Sequence, residues 1–295
     1  MPTIFGYSLQ ALLSQATLGL INGAFYAMLS LGLAVIFGML NIVNFAHGAL
    51  FMMGAFVTWG LLNYLGISYW AALVIAPLVV GAFGIVLEKA LISRLYKLDH
   101  LYGLLLTFGV ALIIEGLVRN GYGSSGVPYA APHALQGAVN LGYMRLPLYR
   151  LWVLIAATVV CIGTWLVIEK TRLGSTLRAA TENAPLVQAF GVNVPRLITL
   201  TYAAGVALAA FAGVLAAPMS SVNPNMGSIV IIVVFAVVVI GGMGSILGSV
   251  LTGFALGMIE GATKVFYSQG SGVVIFVVMV IVLLTRPAGL FGRTA

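Results

Sequence analysis

The sequence predicts an all-α polytopic membrane bundle of roughly eight to ten spans, one domain over residues 1–295. Three observations lead there. Only 6% of the residues are charged and 62% are hydrophobic, whereas soluble domains carry about a quarter charged. Met1 to Leu87 contains no Asp, Glu, Lys or Arg, and neither does Leu197 to Ile259. The basic residues instead cluster in short loops between apolar runs, which is the bias of cytoplasmic loops in membrane proteins. The net charge of +7 therefore points to membrane orientation and away from nucleic acid.

Each element follows in order. Leu9 to Phe37 is the first span, and it lacks the basic n-region of a cleaved leader. Residues 38–48 then interrupt the apolar pattern with Asn41, Asn44, His47 and Gly48, which reads as a broken helix. Ala49 to Leu65 resumes the pattern. Tyr69 to Leu87 opens on the interfacial aromatics Tyr69 and Trp70. Glu88 to His100 reads as a charged loop, Leu101 to Val118 as a span, and Arg119 to Arg150 as a long loop. Leu151 to Ile168 spans again, and a polar island follows from Glu169 to Arg196.

Ile198 to Ala217 is a span ended by Pro218, and Ser220 to Gly227 is a turn. Ile229 to Ile240 is half a helix, broken at Gly241, Gly242 and Gly244. Gly248 to Phe266 and Val273 to Thr285 complete the set, and Arg286 to Ala295 is a short basic tail. Counting basic loops places Arg119 to Arg150 outside and Gly174 to Pro195 in the cytoplasm. Gly253, Gly257 and Gly261 recur every four residues, a ridge that lets helices approach closely in lipid.

The chemistry is that of a path. No Lys follows a Gly, so no phosphate-binding loop is present. No arrangement of nucleophile and base suggests an enzyme. The single Cys161 reads as a small buried hydrophobe, and the three histidines lack metal-ligand spacing. Glu115 and Glu260 each precede a base by four residues, the favourable helical order. Glu88 and Asp99 fall in or beside the basic loop, so the path is expected to be mostly neutral.

A broken helix exposes backbone groups that lipid cannot satisfy. Asn41, Asn44, His47 and Gly48 are therefore the expected lining of the path, and the plainer alternative is a turn with an N-capping Asn. The island is expected to couple to a partner. A short helix should follow an Asn183 cap, with Pro185 in its first turn and Gly191 as its stop.

Several runs together resemble the permease of bacterial branched-chain amino acid ABC importers. They are Asn44-Phe-Ala-His-Gly48 with Met53-Gly-Ala-Phe56, Arg178-Ala-Ala-Thr-Glu-Asn183 with Gly191-Val-Asn193, Gly241-Gly-Met-Gly-Ser245, and Arg286-Pro-Ala-Gly-Leu-Phe-Gly292. The order is similar to that of the first of the two related permeases. The resemblance implies a type II-like importer subunit in the bacterial inner membrane. Its partners would be a second related permease, two ATP-binding cassette subunits and a periplasmic substrate-binding protein. No cofactor would sit in this chain; ATP and Mg would bind the partner subunits. Arg178, Ala179, Glu182, Asn183 and Gly191 would form the loop that docks on an ATPase. The solute would be leucine, isoleucine, valine or a similar small hydrophobic amino acid. Ala49 stands where many members carry Glu, and the wider family also carries urea and short amides. A stand-alone channel or secondary carrier is the alternative from another class; it would not need the island.

Overall fold

Charge-free stretches of the chain form helices because lipid offers backbone groups no other partner. A computed structural model describes residues 3–4, 7–40, 42–96 and 98–292. Its helices are α1 (Leu9–Leu40), α2 (Ala46–Leu65), α3 (Tyr69–Ala90), α4 (His100–Tyr122), α5 (Leu148–Lys170), α6 (Arg172–Glu182), α7 (Ala184–Ala189), α8 (Val194–Ala216), α9 (Met226–Gly241), α10 (Ile246–Phe266) and α11 (Val274–Thr285). Two small antiparallel pairs accompany them, β1 (Thr3–Ile4) with β2 (Tyr7–Ser8) and β3 (Ala138–Asn140) with β4 (Arg145–Pro147). Among the described residues, seven helices are long and apolar enough to cross a membrane. The apolar helices α9 and α11 have 16 and 12 residues, about 24 and 18 Å at 1.5 Å per residue. Both fall short of the roughly 30 Å hydrocarbon core.

The chain divides into two compact units, each discontinuous in sequence. The first comprises Met1–Ser30, Ala131–Cys161 and Val233–Ala295. Here the predicted glycine ridge is a helix contact. A Cβ on Gly257 would lie 2.3 Å from Cα of Gly23, and one on Gly253 would lie 2.5 Å from Cα of Ala27. The backbones of α1 and α10 touch because neither carries bulk there. Ala236, Val237, Ile240, Leu256, Ile275 and Val282 form the core beside this contact. Tyr26 donates to Glu260 at 2.9 Å, and Lys264 pairs with the same carboxylate at 2.6 Å.

The predicted helix break is present between α9 and α10. Gly242 and Gly244 take φ of +101° and +84°, which only glycine adopts without strain. Ser245 caps α10 by accepting from the Gly248 amide at 3.1 Å. The tail folds back on this break: Leu290 and Phe291 amides donate to the Ile240 and Gly241 carbonyls at 2.8 and 3.1 Å. The last carbonyls of α9 thereby find partners that the sequence alone does not reveal.

The second unit comprises Leu31–Ala130 and Ile162–Ile232. Its centre is α8, packed against α2 and α3. A Cβ on Gly54 would lie 2.3 Å from the Ala210 carbonyl, and one on Gly213 would lie 2.1 Å from the Phe51 carbonyl. Ile36, Leu50, Val80, Tyr202, Val206 and Ala210 fill the core.

Candidate functional site

The break read at residues 38–48 is present: α1 ends at Leu40 and α2 begins at Ala46. Asn41 lies outside the described residues. Asn44 does not cap α2; the N-cap is Phe45, and no side chain bonds there. The Asn44 amide instead donates to the Tyr202 hydroxyl at 3.1 Å, with Asn44 only 1% exposed. Thr107 of α4 secures the exposed backbone. Its hydroxyl donates to the Val43 carbonyl at 3.1 Å and accepts from the Phe45 amide at 3.1 Å. The sequence reading missed Thr107, a lone hydroxyl among apolar residues with no local signal.

His47 is fully buried. Its ring lies beside Gly32 of α1, where an added Cβ would approach Cε1 to 3.0 Å. Gly48 lies against α9; a Cβ there would come within 2.4 Å of the Gly227 carbonyl. Asn44 and His47 thus share a buried setting, while the nearby open space is elsewhere. A cavity of about 280 Å³ is lined by Phe45, Ala49 and Met52, by Phe108, Ala111, Leu112 and Glu115 of α4, and by Pro224, Gly227, Ser228, Ile231 and Ile232 around the start of α9. His47 precedes Ala49 by two residues, roughly 200° around the helix. Asn44 and His47 are not among the residues that line this cavity, and Gly48 adjoins it by packing on Gly227 and Ile231. The cavity lining is apolar except for Ser228 and Glu115.

Glu115 and Arg119 form the expected ion pair at 2.6 Å. Ser228 also donates to Glu115, and Arg119 donates to the Asn225 side-chain oxygen at 2.7 Å. Glu88 departs further from expectation. It lies in the last turn of α3 and not in a loop, only 2% exposed. Its carboxylate accepts from the Thr199 hydroxyl at 2.7 Å and from the Tyr96 phenol. Burial and the facing Glu88 carboxylate push the Tyr96 phenol up, so it remains a donor at neutral pH.

The island forms two helices, α6 and α7. Asn183 caps α7 as expected, accepting from the Leu186 amide at 3.0 Å, with Pro185 in the first turn. Gly191 follows at φ +83°. Asn193 caps α8 through the Arg196 amide at 3.1 Å. Ala180, Val187 and Val194 make a small core between the helices. Arg178 reaches back to Glu169 at 2.6 Å and to the Ile168 carbonyl at 3.1 Å. It clasps α6 to the end of α5. Ala179 and Glu182 are exposed, as are Leu186 and Phe190, the last at 79%. Gly241, Gly242 and Gly244 form the helix break described above.

A family described as the permease component of branched-chain amino acid transport systems matches residues 15–283. The chain belongs to this family. It is 31% identical to the high-affinity branched-chain amino acid transport system permease protein BraD of Pseudomonas aeruginosa, covering 99% of this chain and 98% of that one. It is 29% identical to the corresponding LivH of Escherichia coli, over 76% and 74% of the two chains. The autoinducer 2 import system permease LsrD of Salmonella paratyphi B is 26% identical over 58% of this chain. No solved structure matches significantly. The protein is a multi-pass membrane permease, and its relatives are transport subunits and not enzymes.

Proposed function

We propose that the permease is the membrane-spanning subunit of an ATP-driven importer. It moves branched-chain or other small hydrophobic amino acids across the bacterial inner membrane by alternating access. The observation that carries this reading is the similarity to BraD along nearly the whole of both chains. A second related permease completes the pathway, and a periplasmic binding protein delivers the solute. Two ATP-binding cassette subunits bind ATP and Mg. The island is the contact to one of them. An exposed Phe190 four residues after an exposed Leu186 presents an apolar ridge outside the spans, and such ridges are covered in an assembled complex. Closure of the ATPase dimer pulls on α6 and α7, and the α5 and α8 ends carry the motion into the spans.

The test is purification of the tagged chain followed by uptake measurement in proteoliposomes with the binding protein and ATP outside and inside, respectively. ATPase subunits co-purify and leucine accumulates against its gradient. Uptake without any ATPase subunit would instead mean a channel or secondary carrier. An assembled complex that accumulates urea or a short amide and not leucine would retain the importer and change its solute.

A further inference from the structure

Two helices of the chain carry one motif. Ile114-Glu-Gly-Leu-Val-Arg-Asn-Gly-Tyr122 closes α4, and Ile259-Glu-Gly-Ala-Thr-Lys-Val-Phe-Tyr267 closes α10. Gly103 and Thr107 recur as Gly248 and Thr252 at the same separation, without a gap. In both copies the glutamate pairs with the base one turn on and accepts a hydroxyl from a distant helix. Ser228 of α9 bonds Glu115, and Tyr26 of α1 bonds Glu260.

The packing around the two copies differs. On α10 the motif lies backbone to backbone against α1: a Cβ on Gly261 would come within 2.5 Å of the Gln15 carbonyl, and Gly257 and Gly253 abut Gly23 and Ala27. At the matching positions α4 carries Gly116, where an added Cβ meets nothing within 4 Å, and Leu112 and Phe108, which line the cavity. A row of ties in antiparallel order joins the α4 end to α9. Glu115 takes the Ser228 hydroxyl, Arg119 donates to the Asn225 side chain at 2.7 Å, and Val127 and Val222 exchange backbone bonds at 2.8 and 3.0 Å. The start of α9 rests on α2, backbone to backbone, at Gly227 and Gly48. The α4 end meets α2 through rings, Tyr122 with Phe56 and Trp59 at centroid distances of 5.0 and 5.5 Å. Helices in lipid are held by close packing, so parting α10 from α1 forfeits many contacts together. The α4 end stands beside a cavity, and hydrogen bonds exchange for water at small net cost. We propose that the row Glu115–Ser228, Arg119–Asn225 and Val127–Val222 is a gate at the cavity. It opens by movement of the α4 end away from α9 and closes behind the solute, while the matching Glu260–Tyr26 clasp stays shut as a strut. Arg119 and Asn225 are positioning residues that set the closed register. This assignment rests on the importer reading above.

Val127 and Val222 form an antiparallel bridge, and the Cα atoms of such a hydrogen-bonded pair stand about 5.5 Å apart, within reach of a disulfide. Val127→Cys with Val222→Cys is made in a Cys161→Ala background and assembled with the partner subunits in proteoliposomes. Oxidation should lower leucine uptake by roughly tenfold or more, as expected when a required opening is blocked, and reductant should restore it. Spin labels at the exposed positions Asn120→Cys and Ser221→Cys follow the α4–α9 separation without touching the ties. Trapping with ATP and vanadate should change that distance. Labels at Leu13→Cys and Phe266→Cys, both exposed near the α1–α10 contact, should keep one distance. Should the disulfide pair disturb assembly, the spin labels decide alone. Uptake unchanged by oxidation, an α4–α9 distance unaltered by nucleotide, or equal movement in both label pairs overturns the gate. Uptake by the parent complex is measured in parallel. Its absence removes the importer reading, whereas uptake that survives the disulfide removes the gate alone.

Discussion

At the residue scale, the polar groups of the first break act as ties between helices. Asn44 reaches Tyr202 across 158 positions of sequence, and its Oδ1 has no hydrogen-bond partner among the described residues. A buried amide with one satisfied end is costly to disturb, because its partner then loses a bond without gaining water. Asn44→Ala and Tyr202→Phe should each lower stability, with a coupling between them of roughly 0.6–1.7 kcal/mol, the range found for hydrogen bonds between membrane helices. A double-mutant cycle by denaturant titration in mixed micelles measures it. Strict additivity would mean that the pair contributes only packing. Gly32 and Gly48 have a different task at the same place. Each omits a Cβ where His47 or the Gly227 backbone already occupies the space.

At the element scale, the island is two short helices held by caps and one clasp. The α7 stop depends on Gly191, whose amide donates to the Gln188 carbonyl at 2.9 Å while φ stands at +83°. Proline has no amide hydrogen and holds φ near −65°, so Gly191→Pro cannot keep this turn. Nothing packs within 4 Å of an added Cβ there, so the spans are undisturbed. Substrate-stimulated ATP hydrolysis in proteoliposomes should fall while the purified chain remains folded. Phe190→Ser removes the exposed ring without touching the backbone, and it should release ATPase subunits during purification. Full stimulation in both variants would show that α7 is not the coupling element. The Arg178–Glu169 pair is half exposed; pairs of this kind contribute little, about 0–1 kcal/mol. Arg178 therefore matters as a positioning group for α6 more than for stability.

At the scale of the whole molecule, orientation follows from where the basic residues fall. Residues 123–147 should face the periplasm and the island the cytoplasm. Ser125→Cys and Phe190→Cys in a Cys161→Ala background check this with an impermeant maleimide on intact spheroplasts. The reagent should modify position 125 and leave 190 unmodified until the membrane is opened. Labelling in the reverse order would invert every span. The seven long helices and the two short ones, α9 and α11, are compatible with this order. The short α9 begins beside Gly48 and Glu115 within the second unit, so its N-terminal dipole meets the cavity described above.

The sequence by itself determined the membrane class, the long helices, the breaks after α1 and α9, the α7 cap and stop, and both helical ion pairs. These are local consequences: lipid forbids unpaired charge and backbone, and caps or i,i+4 pairs need only near neighbours. Tertiary structure decided the rest. Periodicity said that α2 has faces, but only α4 and α9 selected the Phe45, Ala49 and Met52 face for the cavity and left His47 against α1. Glu88 looked like a loop carboxylate because its partners Tyr96 and Thr199 lie eight and 111 residues away. Glu115 was legible as half of an i,i+4 pair with Arg119, but its bond from Ser228, 113 residues away, was not. In each case the side chain's role depends on distant atoms brought within contact range, and no pattern along the chain encodes which of its faces will meet them.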